Sequence, residues 1–211
     1  FRRFTLMGAR AMLLEKGGDI LSGASKANSA ILHTGFDAPT GSLELQCMQA
    51  GYEEYMAIHQ QMNLPLLKKT AIVVARSQEQ LDALPGIVQQ AHNNRVFDVE
   101  QISSEEVYRR EPHLAKGALG GVYVPGEYVI DPWSSPLAYM TQAVMHGGQY
   151  AFNCEVQRVK STDDGWELTT SRGRVQTRLV INCAGNHGDL IDGMWRTPEF
   201  EIRPRKGQFL V

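Results

Sequence analysis

Apolar residues along this chain fall into short blocks of two kinds. Over residues 42–62 they recur at Leu45, Met48, Tyr52, Tyr55, Met56 and Met62, and steps of three, four and seven describe one face of a helix with Ser42 as its N-cap. Residues 70–75 are a β-branched apolar run and predict a strand. Ser77-Gln-Glu-Gln80 and Ser103-Ser-Glu-Glu106 have the capping-box pattern and open two further helices, the first expected to break near Leu84 at Pro85, the second to end at Glu111-Pro112. Residues 120–125 read as a strand, and residues 132–145 as a helix with Asp131 as N-cap, Pro132 in the first helical position and Gly147-Gly148 as its stop. After it, residues 150–153, 155–161, 165–170 and 175–183 predict short strands in a meander, with turns at Asp163-Asp164-Gly165 and Arg172-Gly173.

At the two ends the pattern is cut short. Residues 1–7 read as the last turns of a helix that would begin before Phe1, and residues 201–211 as a strand that stops in mid-run. Between them, residues 11–14 form an apolar strand closing on Glu15, followed by small and hydroxylated residues without period. A carboxylate at the carboxyl end of a parallel strand can accept the hydroxyls of an adenosine ribose, and a small-residue loop lets backbone N–H groups approach a pyrophosphate. A solvated strand-to-loop transition with a chance Glu would look the same. Residues 180–185, Val-Ile-Asn-Cys-Ala-Gly, repeat the pattern of apolar approach and small-residue exit, with a plain turn as the alternative.

Composition narrows the class without choosing a reaction. With 21 basic and 23 acidic residues and a net charge of -2, the chain lacks the positive field a nucleic-acid binder uses. Three separated cysteines, Cys47, Cys154 and Cys183, predict core thiols in a reducing, cytoplasmic setting rather than a disulfide framework. The longest apolar run, residues 71–75, is far below the roughly 20 residues of a membrane helix. The histidines have no metal-ligand spacing with Cys or carboxylates, so no metal site is expected. Alternating strand-loop-helix segments mixed with antiparallel ones predict an α/β (α+β mixed) fold: a partial Rossmann-like domain interleaved with a second mixed sheet.

Leu13-Leu-Glu-Lys16, Ser22-Gly-Ala-Ser25, Leu32-His-Thr-Gly35, Glu111-Pro112, Ile130-Asp-Pro132, Val180-Ile-Asn-Cys-Ala-Gly185 and Pro204-Arg-Lys-Gly207 occur in that order over nearly the whole chain. In order and spacing they resemble the FAD-dependent D-amino-acid oxidase superfamily, most closely its glycerol-3-phosphate dehydrogenase branch, with the L-2-hydroxyglutarate oxidase branch next. The resemblance implies FAD as cofactor. It implies that Glu15 and Lys16 bind the adenosine ribose end, that Ser22, Gly23, Ala24, Ser25, Asn28 and Ser29 line the pyrophosphate and ribityl chain, and that Leu32, His33 and Thr34 run beside the flavin ring. Val156 would meet the adenine, and Cys183, Ala184 and Gly185 would close over the ADP portion. The same resemblance divides the chain into an FAD-binding part, residues 1–41 and 149–200, and a substrate-binding part, residues 42–148 and 201–211.

Alcohol oxidation by a flavin needs a group that takes the hydroxyl proton and cations that hold an anionic substrate. His33 is the candidate for the first, Lys206 and Arg205 for the second. A structural histidine and a solvated basic pair are the alternatives. The resemblance then implies oxidation of a small anionic 2-hydroxy compound, glycerol 3-phosphate to dihydroxyacetone phosphate, with L-2-hydroxyglutarate or amine oxidation, or a catalytically silent binding domain, as the other readings. The electron acceptor (quinone, oxygen or a partner subunit) is not legible, and membrane-surface association, implied by the branch, has no amphipathic basic helix behind it. The family opens with G-x-G-x-x-G about 20 residues before the acidic residue. Fourteen residues precede Glu15 and none supplies that motif. The chain therefore reads as a piece without the N-terminal motif and the C-terminal part, expected by itself to hold FAD weakly or not at all.

Overall fold

A computed structural model describes residues 1–207. In chain order its elements are α1 (Arg2–Leu6), β1 (Met12–Leu14), β2 (Ile31–Leu32), α2 (Leu43–Ile58), β3 (Leu66–Leu67), β4 (Ala71–Ala75), α3 (Gln78–Asn93), β5 (Glu100–Ser103), α4 (Ser104–Arg110), β6 (Gly120–Val124), β7 (Tyr128–Ile130), α5 (Ser134–Met145), β8 (Gln149–Ala151), β9 (Val156–Thr162), β10 (Gly165–Thr170), β11 (Gly173–Thr177) and α6 (Gly188–Asp192), with short 3₁₀ turns at Ala24–Lys26 and Gly185–His187. The fold is mixed α/β. It separates into two compact units, one of residues 1–28 and 132–211, the other of residues 29–131. Helix α5 falls in the same unit as β1, the strand that leads to Glu15.

In the first unit β1 and β8 pair in parallel, Met12 opposite Gln149 through Leu14 opposite Ala151. The expected meander included residues 150–153; residues 149–151 pair instead with β1, and the long connection that a parallel pair requires ends in α5. Strands β9, β10 and β11 form the antiparallel meander, with Gly165 at φ +140 where an added Cβ would strike Thr177 O at 2.4 Å. Trp166 on β10 meets Trp195 edge-on, ring centroids 5.8 Å apart.

The second unit holds two three-stranded antiparallel sheets, β4-β6-β5 and β2-β7-β3. The outer helices are placed by local chemistry: Ser42, Ser77 and Ser103 each accept the backbone N–H three residues on, from Leu45, Gln80 and Glu106. Gln80 reaches back past the cap to accept the Arg76 N–H at 2.7 Å. Helix α3 lays Leu81, Leu84, Val88 and Ala91 on the sheet, where Leu84, Ala91, Val99, Val122 and Val124 are fully buried around Phe36 and Ala75. A second cluster, Ile102, Val107 and Ala118, packs α4 against the same sheet. Gly121 makes this possible, because a Cβ there would lie 2.8 Å from Val73 O and 3.1 Å from the Val107 side chain.

Several expectations fail for physical reasons. Helix α3 runs through Pro85. The proline sits on the exposed face, and its penalty of about 3 kcal/mol is offset by burying Leu84 fully, worth about 1.5–3 kcal/mol, and Leu81 and Val88 in part. Helix α5 starts two residues later than expected, with Trp133 rather than Asp131 at its N-cap, and Trp133 Nε1 donates to Lys26 O at 2.9 Å. Residues 180–185 are not a strand, and β11 ends at Thr177. A strand needs a neighbour to take its ladder hydrogen bonds, and among the described residues none pairs with this run, whose Ile181 is exposed, as is Leu179 just before it. Residues 201–207 are irregular; 208–211 lie outside the described residues. Cys154 is buried as expected, but Cys47 and Cys183 are exposed.

Candidate functional site

The residues singled out by the sequence divide between the two units. In the first, Glu15 follows β1 directly and is half-buried, its backbone tied to the segment after β8 by the Cys154 N–H at 2.9 Å. Its Oε1 accepts the Gly17 N–H at 2.7 Å, folding the loop back on the strand end. Gly17 has no room for a side chain, since a Cβ would lie 2.2 Å from Ser22 Oγ. Ser22 Oγ in turn donates to Asp19 O at 2.8 Å, and Asn28 Nδ2 to Ser25 O at 3.0 Å. Ser22, Gly23, Ala24, Ser25 and Asn28 are exposed, as are Lys16 and, at the start of the second unit, Ser29. A Cβ on Gly23 would meet nothing within 4 Å. A carboxylate at the carboxyl end of a parallel strand, beside an open loop of small residues, fits the ribose and pyrophosphate of a dinucleotide.

Elsewhere in this unit, Val156 begins β9 and is half-buried. Cys183, Ala184 and Gly185 lie in a turn anchored by Asn182, which accepts the Ala184 N–H at 3.2 Å and donates to Gly188 O at 2.7 Å. Arg205 and Lys206 are exposed in the irregular segment. An open cleft of about 340 Å³ between α5 and the segments after β1 and β8 is lined chiefly by Ile20, Leu137, Val144, Met145, Tyr150 and Phe152, and its apolar wall offers little to a phosphate.

The second unit carries the polar cluster. In the β2–β7 ladder Leu32 pairs with Tyr128, and one more step of the antiparallel register sets His33 opposite Glu127. His33 Nδ1 lies 2.8 Å from Glu127 Oε2. The Glu127 side chain is only 3% exposed, and its Oε1 accepts both the Thr34 N–H at 2.6 Å and the Thr34 hydroxyl at 2.8 Å. Nδ1 is sealed from solvent and faces the carboxylate at that distance, an ion pair when the imidazole is protonated. The Glu127 contact raises the His33 pKa above the usual 6.5 against the pull of partial burial, and Asp37 adds to the rise. Burial pushes the Glu127 carboxyl up, but His33 and the two Thr34 donors outweigh it and hold the carboxyl below its ordinary value.

Two more side chains close this cluster. Tyr52 on α2 donates to Gly126 O at 3.0 Å and lies 6.1 Å from the Tyr128 ring; burial, then Tyr128, pushes its hydroxyl up to about 12, so it stays neutral. Gly126 lets the turn pass beneath Thr34, whose Cγ2 would be 2.8 Å from a Cβ there. The loop after His33 turns at Gly35, φ +85, where a Cβ would strike Leu45 at 2.8 Å. Buried Asn94 at the end of α3 then holds the loop by donating to Gly35 O and Ala38 O, both at 2.8 Å. Of the expected residues the structure thus brings Leu32, His33 and Thr34 together. Glu127 and Tyr52 were missed as site residues, although Glu127 is the one charged residue between Lys116 and Asp131. Among the described residues no His, Cys and carboxylate group could hold a metal, and no helix is long and apolar enough to cross a membrane.

Known proteins place these features in context. A glycerol 3-phosphate dehydrogenase of Caloramator mitchellensis is 28% identical over 210 residues, covering 100% of this chain and 44% of the relative. An L-2-hydroxyglutarate dehydrogenase of Indibacter alkaliphilus is 25% identical over 202 residues, covering 95% of this chain and 50% of the relative. The chain spans about half the length of the curated relatives it matches. In fold it is similar to the FAD-bound L-α-glycerophosphate oxidase of Mycoplasma pneumoniae, with a TM-score of 0.81 at 21% identity over 92% of this chain and 53% of the other. It is also similar to the L-proline dehydrogenase of P. horikoshii, TM-score 0.80 at 16% identity over 92% and 51%. The family model for FAD dependent oxidoreductases matches residues 2–211, so the chain belongs to the DAO family of oxidoreductases, whose cofactor is FAD.

Proposed function

We propose that the protein carrying this chain oxidises a small anionic 2-hydroxy compound, with glycerol 3-phosphate, going to dihydroxyacetone phosphate, as the first candidate. The observation that carries the reading is His33, a half-exposed imidazole set against a buried carboxylate in the second unit. Bound FAD supplies the acceptor for the two electrons and hydrogen leaving the carbinol carbon. Glu15, the loop of residues 22–29, Val156 and residues 183–185 hold the cofactor, and Leu32, His33 and Thr34 lie along its ring. His33 takes the hydroxyl proton, which its carboxylate partner favours by stabilising the imidazolium that results. Arg205 and Lys206 hold the phosphate by charge-assisted hydrogen bonds.

Support comes from family membership and from relatives named for glycerol 3-phosphate. A second reading, L-2-hydroxyglutarate, is favoured by the relative of that name and needs the same base and the same cationic clamp. Turnover of the FAD-loaded protein on glycerol 3-phosphate, L-2-hydroxyglutarate and glycine separates the alcohol and amine readings. Replacing Lys206 or Arg205 with Ala is expected to raise KM for glycerol 3-phosphate at least tenfold while leaving glycerol, the uncharged analogue, within about twofold, since one charge-assisted bond is worth about 1.5–3 kcal/mol. Equal effects on both substrates would refute the clamp.

A further inference from the structure

Residues 33 and 127 are far apart in sequence, yet the register of β2 and β7 makes them cross-strand partners just past the end of the ladder. Their polar atoms are distributed unequally. Nδ1 of His33 is sealed from solvent and faces Glu127 Oε2 at 2.8 Å, while the side chain as a whole is 38% exposed, so the accessible part of the ring lies among the remaining atoms, Nε2 included. A buried ring nitrogen against a buried carboxylate is stable only with a proton between them, because two lone-pair acceptors at that distance repel. Neutral His33 must then carry its hydrogen on Nδ1 and present Nε2 bare.

Glu127 is unsuited to take the substrate proton itself. Oε1 already accepts two hydrogen bonds from Thr34 and Oε2 faces the ring, so neither oxygen is open to a ligand. Tyr52 spends its hydroxyl proton on Gly126 O. The remaining role is to set the tautomer, the orientation and the charge tolerance of the imidazole, the arrangement by which a carboxylate supports a histidine base in hydrolytic triads.

We propose that Glu127 is the positioning residue of the reaction: it holds His33 as the Nδ1–H tautomer, leaving Nε2 as the atom that accepts the substrate hydroxyl proton. This rests on the reading of His33 as the base. In the step, the O–H bond of the substrate breaks and its proton goes to Nε2, giving imidazolium. The carbinol C–H electrons and hydrogen pass to bound FAD, and the C=O bond forms. Glu127 remains a carboxylate throughout, with the Nδ1 proton beside it. Asp37 is the other acidic group acting on His33; Tyr52 and Tyr128, with Asp98 acting on Tyr52, are the further titratable groups at the cluster.

Glu127→Gln tests the proposal. The Gln carbonyl can accept both Thr34 donors as Oε1 does, which turns its NH₂ toward Nδ1 and requires the neutral ring to carry its proton on Nε2. In ¹⁵N spectra of the FAD-loaded protein, the wild type is expected to show His33 as the Nδ1–H tautomer with a titration midpoint above 6.5. E127Q is expected to show the Nε2–H tautomer, a lower midpoint, and kcat on glycerol 3-phosphate reduced at least a hundredfold with KM changed little, because general-base catalysis contributes about 10²–10⁴-fold. An Nε2–H tautomer in the wild type overturns the proposal, and that spectrum decides even where E127Q misfolds. A loss of turnover without a change of tautomer overturns it too. A changed tautomer with unchanged turnover overturns it through the reading it rests on, by removing His33 from the role of base.

Discussion

Asn94→Ala should loosen the second unit by about 2 kcal/mol, and the structure shows why the value is neither smaller nor larger. Asn94 is fully buried, and three short bonds vanish with its amide: Nδ2 to Gly35 O and to Ala38 O, both 2.8 Å, and Thr40 Oγ1 to Oδ1, 2.7 Å. A net hydrogen bond is worth about 1 kcal/mol, and an orphaned buried partner costs about 1–3. Ala38 O keeps Gln90 Nε2 at 2.9 Å, Gly35 O keeps the Ala38 N–H at 3.3 Å, and the bond lost at Phe36 O, 3.4 Å, is the longest and weakest of the set. Thr40 is exposed and can turn to water. The lower figure therefore applies, roughly 1 kcal/mol for each of two bonds. The assay must see this unit alone. All three tryptophans, Trp133, Trp166 and Trp195, belong to the other unit, so tryptophan fluorescence is blind to the change. Amide hydrogen exchange across β4 and β6 is the proper readout, and about 2 kcal/mol appears as roughly thirtyfold faster exchange. Adding Gln90→Ala removes the second donor to Ala38 O, so the double variant should lose more than the sum of the singles. Exchange within threefold of wild type for N94A, or additivity in the double variant, would refute the account.

Two further outcomes test the packing and the ion pair. Gly121→Ala should destabilise the same unit by about 1–3 kcal/mol, seen as a lowered denaturant midpoint, because its Cβ would press on Val73 O and Val107; Gly23→Ala, with open space, should leave the midpoint unchanged. The His33–Glu127 pair should make stability depend on pH with both signs. Raised His33 contributes fully below its unfolded pKa near 6.5, and that contribution is lost as pH rises through the higher folded value; lowered Glu127 contributes above its unfolded value near 4.5, and that contribution is lost as pH falls through the lower folded one. The difference in urea midpoint between wild type and H33Q should therefore be greatest between about pH 5 and 6, and a difference that does not vary from pH 4 to 9 contradicts the pairing.

What was legible in the sequence was what neighbours in sequence decide. Ser42, Ser77 and Ser103 cap helices where the pattern put them, because a cap is a contact over three residues. Pro85 misled for the complementary reason: its local penalty is real, but the burial that overrides it comes from strands elsewhere in the chain. Residues 180–185 misled in the opposite direction, since an apolar run states a need for a neighbour without supplying one. The site divides along the same line. His33 stood out by resemblance, but a resemblance located a histidine and not its chemistry. That chemistry comes from Glu127, brought opposite by a two-residue strand and a three-residue strand too short to show a period of their own. The signal that survives in the sequence is a single carboxylate in an otherwise uncharged strand-turn-strand stretch. Burying a lone charge is expensive enough that a buried Glu127 must have a partner, but the burial itself follows only once β7 is paired with β2.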